Sequence, residues 1–405
     1  MRTKGNSAII LAPDDKGLQP LFGVPAVRRL ALLARQMGLR AVHVIGHVEP
    51  LMPLLTDLIP QNAFHAAGDP VAWDAIVAGM SLPGDERVFV FESNLVIDRH
   101  SLAWLMEAGK GTGRYIMETF QKKGQGLYLV YPSDLGALLP ALWLKDASLL
   151  NLSERAQKVG GVEGLPYAID QGTEETRISE DKLIAALSFQ TAADDGFLAR
   201  HFDRLISRFI SSRLAHTAVT PNQVTLGGVS IGLLGAFLLS RPGYWVQLMG
   251  AFLFLFCVIV DGVDGEIARL KLKETRFGHY LDVVTDNIVH IAVFMGIAFG
   301  LFNETCDPGY LHALWFLMGG FGLCVLAVYQ CILRRSPEEL ERSPRMIRFM
   351  SLLTNRDFAY LVFLLAAVHR LNWFLVGSAV GAYLFALTLW AMSIYKNRAM
   401  AHRIP

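Results

Sequence analysis

The sequence has few cysteines, and none is placed to form a metal motif. The four are Cys257, Cys306, Cys324 and Cys331; none is spaced as CxxC, and all lie in or beside apolar stretches. Cysteines in such surroundings pack as small apolar residues. The spacing therefore argues against a cysteine-based zinc site and against a disulfide framework.

The chain also lacks an excess of charge of either sign, and its beginning lacks a long apolar run. A formal net charge of +1 argues against a nucleic-acid partner. The opening, MRTKGNSAIILAP, has too short an apolar run for a secretory signal peptide. We therefore expect the first part of the chain to stay in the cytosol.

Apolar residues make up 53% of the 405 residues but are concentrated in the second half. The first half has the composition of a soluble protein, and the second half contains long hydrophobic spans. This length is enough for two domains. We predict a cytosolic domain at 1–193, an amphipathic helix and linker at 194–219, and a transmembrane domain at 220–405.

The first domain shows short apolar runs bounded by turn residues, which alternate with helical patterns. Alternating strands and helices are typical of an α/β fold with a mostly parallel sheet covered on both faces. The predicted strands are 7–12, 41–46, 87–92 and 114–120, and the clearest helices are 25–38 and 100–109.

The second domain contains apolar runs of about 20 residues, the length that crosses a bilayer core as a helix. We predict an all-α domain with six spans, at 222–240, 245–268, 279–302, 309–333, 351–370 and 372–396. Basic residues concentrate between spans two and three, between spans four and five, and after span six. The positive-inside rule then places both termini and the connection between spans two and three on the cytosolic side. We expect an integral protein of the cell (inner) membrane.

Between the two domains, apolar residues recur at helical spacing and arginines lie between them. The apolar positions are Phe202, Leu205, Ile206, Phe209, Ile210 and Leu214, and the arginines are Arg204, Arg208 and Arg213. A basic amphipathic helix of this kind fits a membrane surface, with its arginines towards anionic headgroups. The alternative is a soluble linker helix.

Four aspartates lie where hydrophobic spans begin or end: Asp261, Asp264, Asp282 and Asp286. The spacing within each pair, three residues and four residues, places both carboxylates on one face of a helix. Carboxylates crowded in an apolar setting need positive charge between them, and all-oxygen ligands favour Mg²⁺, Mn²⁺ or Ca²⁺. The alternative is a helix-packing gap beside a solvated loop.

The full pattern is Asp261-x-x-Asp264-Gly265-x-x-Ala268-Arg269, eight residues, then Gly278-x-x-x-Asp282-x-x-x-Asp286. It resembles the signature of the CDP-alcohol phosphotransferase family, membrane enzymes that make phospholipids and related phosphodiesters. The resemblance implies that Asp261, Asp264 and Asp282 hold two divalent cations, Mg²⁺ or Mn²⁺. It also implies that Asp286 lies at the metals and acts as general base.

The same resemblance implies a nucleotide bed and a set of substrates. The bed consists of Gly265, Ala268, Arg269 and Gly278, with Asn222 from the stretch TPNQVT, which is similar to the family's start of the first span. A CDP-alcohol would be the donor and an alcohol or alcohol phosphate the acceptor. A homodimer is a further expectation.

For the acceptor we predict Asn355, Arg356 and Asp357, at the cytosolic start of span five. An arginine there would bind the phosphate group of an acceptor. The alternative role is that of a basic membrane anchor.

Residues 5–190 are similar to sugar-nucleotide pyrophosphorylases and related nucleotidyltransferases, but the loop after the first strand departs from that pattern. It reads Pro13-Asp14-Asp15-Lys16-Gly17, which adds negative charge where a triphosphate would bind, and Glu92-Ser93-Asn94 follows the central strand. We therefore expect this domain to be degenerate. Lys16, Glu92 and Asp98 are the residues that would act if it were active.

Two other functions stay open at this point. The first domain could make the CDP-alcohol from CTP, giving a bifunctional enzyme. A transporter or channel would also place acids in a membrane, but it gives no reason for the spacing of Gly265, Ala268 and Arg269.

Overall fold

The computed structural model describes residues 6–67, 72–108, 113–119, 125–145, 157–159, 165–169, 172–191, 202–334 and 357–401. The chain divides into two compact units. The first consists of Met1–Ala193, Ser212–Ala218 and Ala268–Lys273, and the second of Asp194–Ser211, Val219–Ile267 and Glu274–Pro405.

A seven-stranded sheet forms the centre of the first unit. Its strands are β1 (Ser7–Ala12), β4 (Val42–Gly46), β5 (Phe64–Ala66), β6 (Val88–Glu92), β8 (Tyr115–Glu118), β9 (Gly126–Val130) and β10 (Gln157–Lys158). They lie side by side in the order β10, β8, β9, β6, β1, β4, β5. Two short antiparallel pairs lie outside this sheet: β2 (Pro20–Leu21) with β3 (Val24–Pro25), and β7 (Leu95–Val96) with β11 (Tyr167–Ala168).

The sheet is mostly parallel, as predicted. β1 runs parallel to its neighbours β4 and β6, with Ile10 opposite Val44 and Phe91. β9 is the exception, since it runs antiparallel to both β6 and β8. All four predicted strands are present within two residues of their expected bounds.

Helices cover both faces of the sheet. The unit contains α1 (Ala26–Gln36), α2 (Met52–Leu55), α3 (Trp73–Gly79), α4 (Arg99–Ala108), α5 (Leu135–Leu144) and α6 (Thr173–Thr191). On one face, Ile10 of β1 belongs to the same buried cluster as Leu30 of α1 and Leu105 of α4. On the other face, Ile9 of β1 is buried with Leu138 of α5. Alternate residues of β1 therefore pack into opposite cores.

The residues after 193 form helices α7 (Arg204–Ala215), α8 (Pro221–Leu239), α9 (Tyr244–Leu270), α10 (Arg276–Thr305), α11 (Gly309–Val328), α12 (Phe358–Ala367) and α13 (Leu371–Ala401). Residues 212–215 of α7 and 268–270 of α9 belong to the first unit, and the other residues of these helices belong to the second. Five helices among the described residues are long and apolar enough to cross a membrane; α11, with the π turn that follows it, is one of them. Six were predicted. The predicted span 351–370 contains only the ten-residue α12 within its described part, and 351–356 lie outside the described residues.

Small residues allow α8 to approach both of its neighbours closely. A Cβ added at Gly300 of α10 would lie 2.0 Å from the carbonyl oxygen of Leu239, and one at Gly296 would lie 2.3 Å from that of Ala236. Gly235 of α8 and Gly250 of α9 face each other in the same way. Side chains at these positions would push the helices apart, so the glycines set the spacing of α8, α9 and α10.

The prediction that the cysteines pack as apolar residues is confirmed for Cys257 and Cys331 but not for Cys306, which is exposed. Cys257 and Cys331 are buried among apolar side chains of the second unit.

Residues of α7 up to Ser211 have an unusual distribution of polarity. Leu205 is 73% exposed and Phe209 56% exposed, whereas Ser207 and Ser211 are each 2% exposed. The two serines are turned inwards, whereas Leu205, Phe209 and the charged Arg208 are exposed. Exposed apolar residues next to an exposed arginine are typical of a helix at a membrane surface, and the interfacial position stays a prediction.

Burial in the first unit creates a pH-sensitive pair of histidines. His43 is 8% exposed, and its Nδ1 lies 3.2 Å from Nε2 of His65. Burial first, and His65 second, lower the pKa of His43 from 6.5 to about 4, and burial lowers the pKa of His65. Both imidazoles are therefore neutral in the folded state at neutral pH.

We predict that acid destabilises the first unit through His43. Between pH 6.5 and about 4 the unfolded chain binds a proton that the folded chain does not. The free energy of unfolding therefore falls as the pH falls through this window, by up to about 3 kcal/mol for His43. His43→Gln should flatten this fall in hydrogen-exchange measurements on β4 and β5. The exposed His47→Gln is the matched control, and equal profiles for the two variants would contradict the prediction.

Candidate active site

Three of the four predicted metal-binding aspartates come together. Asp261 and Asp264 lie near the end of α9, and Asp282 lies in the second turn of α10. One carboxylate oxygen of each lies within 4.8 Å of the other two. Asp264 is buried and the other two are half-buried. The five-residue loop 271–275 joins the two helices and brings the acids together.

Three carboxylates at this distance repel one another strongly, because the surrounding helices are apolar and screen charge poorly. A divalent cation among them removes that repulsion. The ligand atoms are all hard oxygens, which suit Mg²⁺, Mn²⁺ or Ca²⁺. The residues present therefore fit a divalent cation.

Asp286 lies one turn beyond Asp282 on the same face of α10 and is half-buried. It is not one of the three residues whose oxygens converge within 4.8 Å. Its spacing of four residues keeps it next to Asp282 along the helix. Asp286 is therefore placed beside the group of three.

The residues predicted to line a nucleotide lie on the same helix ends. Gly265, Ala268 and Arg269 follow Asp264 on the last two turns of α9 and are half-buried. Gly278 is in the first turn of α10, where its amide donates to the side chain of Thr275 at 2.9 Å. A Cβ on Gly278 would lie 3.2 Å from Oδ1 of Asn222, in the first turn of α8. Asn222 and Gly278 are therefore neighbours.

Thr225 contributes to the site, although the sequence pattern did not single it out. It lies one turn after Asn222 on α8, is 8% exposed, and donates a hydrogen bond from its hydroxyl to Oδ2 of Asp264. The only signal in the sequence was a hydroxyl residue in the TPNQVT stretch. In the structure this hydrogen bond holds the carboxylate of Asp264 on the side of α9 that faces α8.

The predicted acceptor residues are only partly described. Asn355 and Arg356 lie outside the described residues. Asp357 is half-buried and directly precedes α12. Close by, the ring of His290 of α10 makes edge contacts with Phe254 and Phe358, at centroid distances of 6.1 Å and 5.2 Å.

In the first unit, the polar residues after the central strands have structural partners. Both carboxylate oxygens of Asp98 accept hydrogen bonds from backbone amides in the first turn of α4. Asn94 donates to the carbonyl of Ile169 at 2.8 Å, and Glu92 is buried in β6.

Two lysine side chains lie near the negative charge of Asp14 in the first loop. The Asp14 carboxylate accepts from the Lys16 amide at 3.1 Å and lies 3.9 Å from Nζ of both Lys16 and Lys145. Lys145 comes from the end of α5, so its charge was not expected here from the sequence.

The chain thus combines an α/β unit with helices long and apolar enough to cross a membrane, and three aspartates at the ends of two of these helices are placed to hold a cation. Residues 218–394 match the protein family described as CDP-alcohol phosphatidyltransferase. This stretch contains all four aspartates, Asn222 and Gly278. The C-terminal part of the chain is therefore a CDP-alcohol phosphatidyltransferase domain.

Curated relatives include proteins named bifunctional IPC transferase and DIPP synthase. The one from Thermococcus kodakarensis is 33% identical over 177 residues, which are 43% of this chain and 38% of the relative. The one from Aquifex aeolicus is 28% identical over 241 residues, 56% of this chain and 53% of the relative. The chain thus spans between 38% and 53% of the length of these two relatives. The phosphatidylinositol phosphate synthase of Mycolicibacterium smegmatis is 36% identical over 102 residues, 24% of this chain and 44% of the relative.

Among solved structures, 4-diphosphocytidyl-2C-methyl-D-erythritol synthase from Anaerococcus prevotii aligns with 44% of this chain and 98% of its own, at 12% identity and a TM-score of 0.34. The phosphatidylinositol phosphate synthase of Mycobacterium tuberculosis with CDP-DAG bound aligns with 48% of this chain and 92% of its own, at 20% identity and a TM-score of 0.31.

We predict that Thr225→Val weakens divalent-cation binding. Valine keeps the shape of threonine but removes the hydroxyl that donates to Asp264, so the carboxylate loses its fixed orientation. Losing such an outer partner weakens metal binding by about tenfold. Titration calorimetry with Mn²⁺ measures the effect. Thr388→Val, which removes a hydroxyl bonded to the Leu384 carbonyl in α13, is the matched control. Equal Mn²⁺ affinity in both variants would show that Thr225 does not orient Asp264.

Proposed function

We propose that this protein is an integral membrane phosphotransferase. It moves a phosphoalcohol group, such as phosphatidyl, from a CDP-alcohol to an acceptor alcohol and releases CMP, in phospholipid or phosphodiester biosynthesis. The observation that supports this best is the convergence of Asp261, Asp264 and Asp282 within 4.8 Å, inside the stretch that matches the family.

In this proposal Asp261, Asp264 and Asp282 hold two divalent cations, Mg²⁺ or Mn²⁺, with Asp286 beside them. Bound cations neutralise the charge of the pyrophosphate and of the departing phosphate. The residues that would receive the cytidine diphosphate are Asn222, Gly265, Ala268, Arg269 and Gly278.

The acceptor hydroxyl attacks the distal phosphorus of the CDP-alcohol. A new P–O bond forms to the acceptor, the P–O bond to CMP breaks, and the hydroxyl proton is taken up by a base. An alcohol is a weak nucleophile at neutral pH, so a carboxylate within hydrogen-bond reach lowers the barrier. Asp286 is the proposed base, since it is half-buried one turn from Asp282.

The acceptor is proposed to bind near Asn355, Arg356 and Asp357. Inositol phosphate, glycerol phosphate and serine are acceptors to test with CDP-diacylglycerol, and CDP-inositol is the other donor to test. We further propose a homodimer in the cell (inner) membrane with the site facing the cytosol, where CDP-alcohols and Mg²⁺ are available.

The first unit supports a second candidate activity, the synthesis of the CDP-alcohol from CTP. Two of the curated relatives are named bifunctional, and Lys145 approaches Asp14 in the first loop, which already contains Lys16. Against it, Asp98 caps α4 and Asn94 bonds to the backbone, so neither is placed as a free metal ligand. We favour a degenerate unit that serves as scaffold.

Turnover should depend on two carboxylates. We expect the purified protein to release CMP from a CDP-alcohol in the presence of Mg²⁺ and a matching acceptor. Asp282→Asn and Asp286→Asn should each lower this rate by at least about 100-fold without unfolding the protein. The matched control is Asp307→Asn at the far end of α10, where an amide oxygen can still accept from the Gly309 amide. Residual turnover in both site variants near that of the control would refute the assigned roles.

The first unit should not use CTP. We expect the full chain, given CTP, Mg²⁺ and a panel of alcohol phosphates, to release no pyrophosphate above background. Pyrophosphate release that is lost in Lys16→Ala and kept in Asp282→Asn would instead show a bifunctional enzyme.

A further inference from the structure

Glu266 lies two residues after Asp264, at a position that the acidic pattern leaves unspecified, and it is only 6% exposed. Its Oε1 accepts hydrogen bonds from Arg204 Nη1 at 2.9 Å and from the Ser207 hydroxyl at 2.9 Å. Its Oε2 accepts from the Ser211 hydroxyl at 2.6 Å. We call these four residues the Glu266 clasp. All three donors come from α7.

The donors are placed to meet one carboxylate. Their spacing of three and four residues puts them on one face of α7, and Ser207 and Ser211 are fully shielded from solvent. Arg204 was expected to face lipid headgroups, but its guanidinium pairs with Glu266 instead. A buried carboxylate that uses both oxygens in this way is held in a fixed position.

Glu266 and the acids of the site share one short stretch of α9 but point in different directions. Successive residues of a helix are about 100° apart, so Glu266 lies about 200° around the axis from Asp264. The Glu266 clasp therefore binds the side of α9 opposite the acids, while Asp264 and Asp261 point towards Asp282. Rotation of this turn would move both carboxylates at once.

A second contact fixes α7 to the same bundle. The hydroxyl of Tyr360, on α12, donates to Oδ1 of Asp203, immediately before α7. The start of α7 is thereby held by α12 and its inner face by α9. The exposed apolar face, with Leu205 and Phe209, is left for the bilayer.

We propose that Glu266 is a positioning residue for the cation site. By bonding α7 to the last turns of α9, the Glu266 clasp fixes the rotation and depth of the turn that presents Asp261 and Asp264. The proposal deepens the proposed function and rests on it for the role of those acids. Glu266 itself contacts neither cation nor substrate.

The test is Glu266→Gln in the full chain, with Mn²⁺ binding followed by electron paramagnetic resonance. Glutamine keeps the size of the side chain but loses the charge and presents a donor where an acceptor is needed. We expect about threefold to tenfold weaker Mn²⁺ binding, somewhat less than the loss seen when a ligand's own hydrogen-bond partner is removed. The KM for the CDP-alcohol should rise, with a smaller change in kcat at saturating Mn²⁺.

Glu304→Gln is the matched control. Glu304 also accepts from side chains of the second unit, Gln247 and His369, but lies about 33 Å along α10 from Asp282. This variant should bind Mn²⁺ like the wild type. Unchanged Mn²⁺ affinity in Glu266→Gln, even with faster hydrogen exchange at 204–211, would reduce the clasp to a docking contact and overturn the proposal.

A second variant covers the case in which Glu266→Gln does not fold. Ser207→Ala with Ser211→Ala removes two donors and leaves the Arg204 pair. Weaker Mn²⁺ binding in this variant supports the proposal, and wild-type binding overturns it. A wild-type chain that binds Mn²⁺ but releases no CMP with any donor would refute the proposed function while leaving the positioning role measurable.

Discussion

The mutual repulsion of three carboxylates in an apolar setting is the constraint on which the second unit depends. Asp261, Asp264 and Asp282 come within 4.8 Å of one another at the ends of two hydrophobic helices. Such an arrangement is unfavourable unless a cation is bound and the helices are held firmly. The short loop between α9 and α10 brings the carboxylates close together. The glycine contacts of α8 with α9 and α10 hold the helices firmly.

Polar contacts then act on α9 from two sides. Thr225 of α8 binds Asp264 on the side of the acids, and the Glu266 clasp binds the opposite side. Each contact is a hydrogen bond to a buried carboxylate, which is stronger than one between neutral groups. Helix α7 can provide its side of the clasp because its serines face inwards, while Leu205 and Phe209 lie on the exposed side. A surface helix thereby becomes part of the support of the site.

Much of this could be predicted from residue patterns. Short apolar runs bounded by turn residues located β1, β4, β6 and β8, helical patterns located α1 and α4, and long apolar runs located candidate spans. The spacing of Asp261, Asp264, Asp282 and Asp286 showed which acids share a helix face, because a helix repeats every 3.6 residues. One of the six predicted spans is not confirmed, since the described part of 351–370 contains only a ten-residue helix. It also grouped Asp286 with three acids whose oxygens converge without it.

What the sequence by itself determined is therefore local: the helices, the strands and the acids that share a face. Only the tertiary structure decided which helix packs on the side of α9 opposite the acids. From the sequence alone, Glu266 resembles an ordinary solvated acid. In the structure it is bonded by Arg204, Ser207 and Ser211, which lie about 60 residues away in the chain. Asp14 likewise looks repulsive to phosphate until Lys145 approaches it from α5. Partners of this kind depend on how helices pack, and the periodicity of a single helix carries no information about its neighbours.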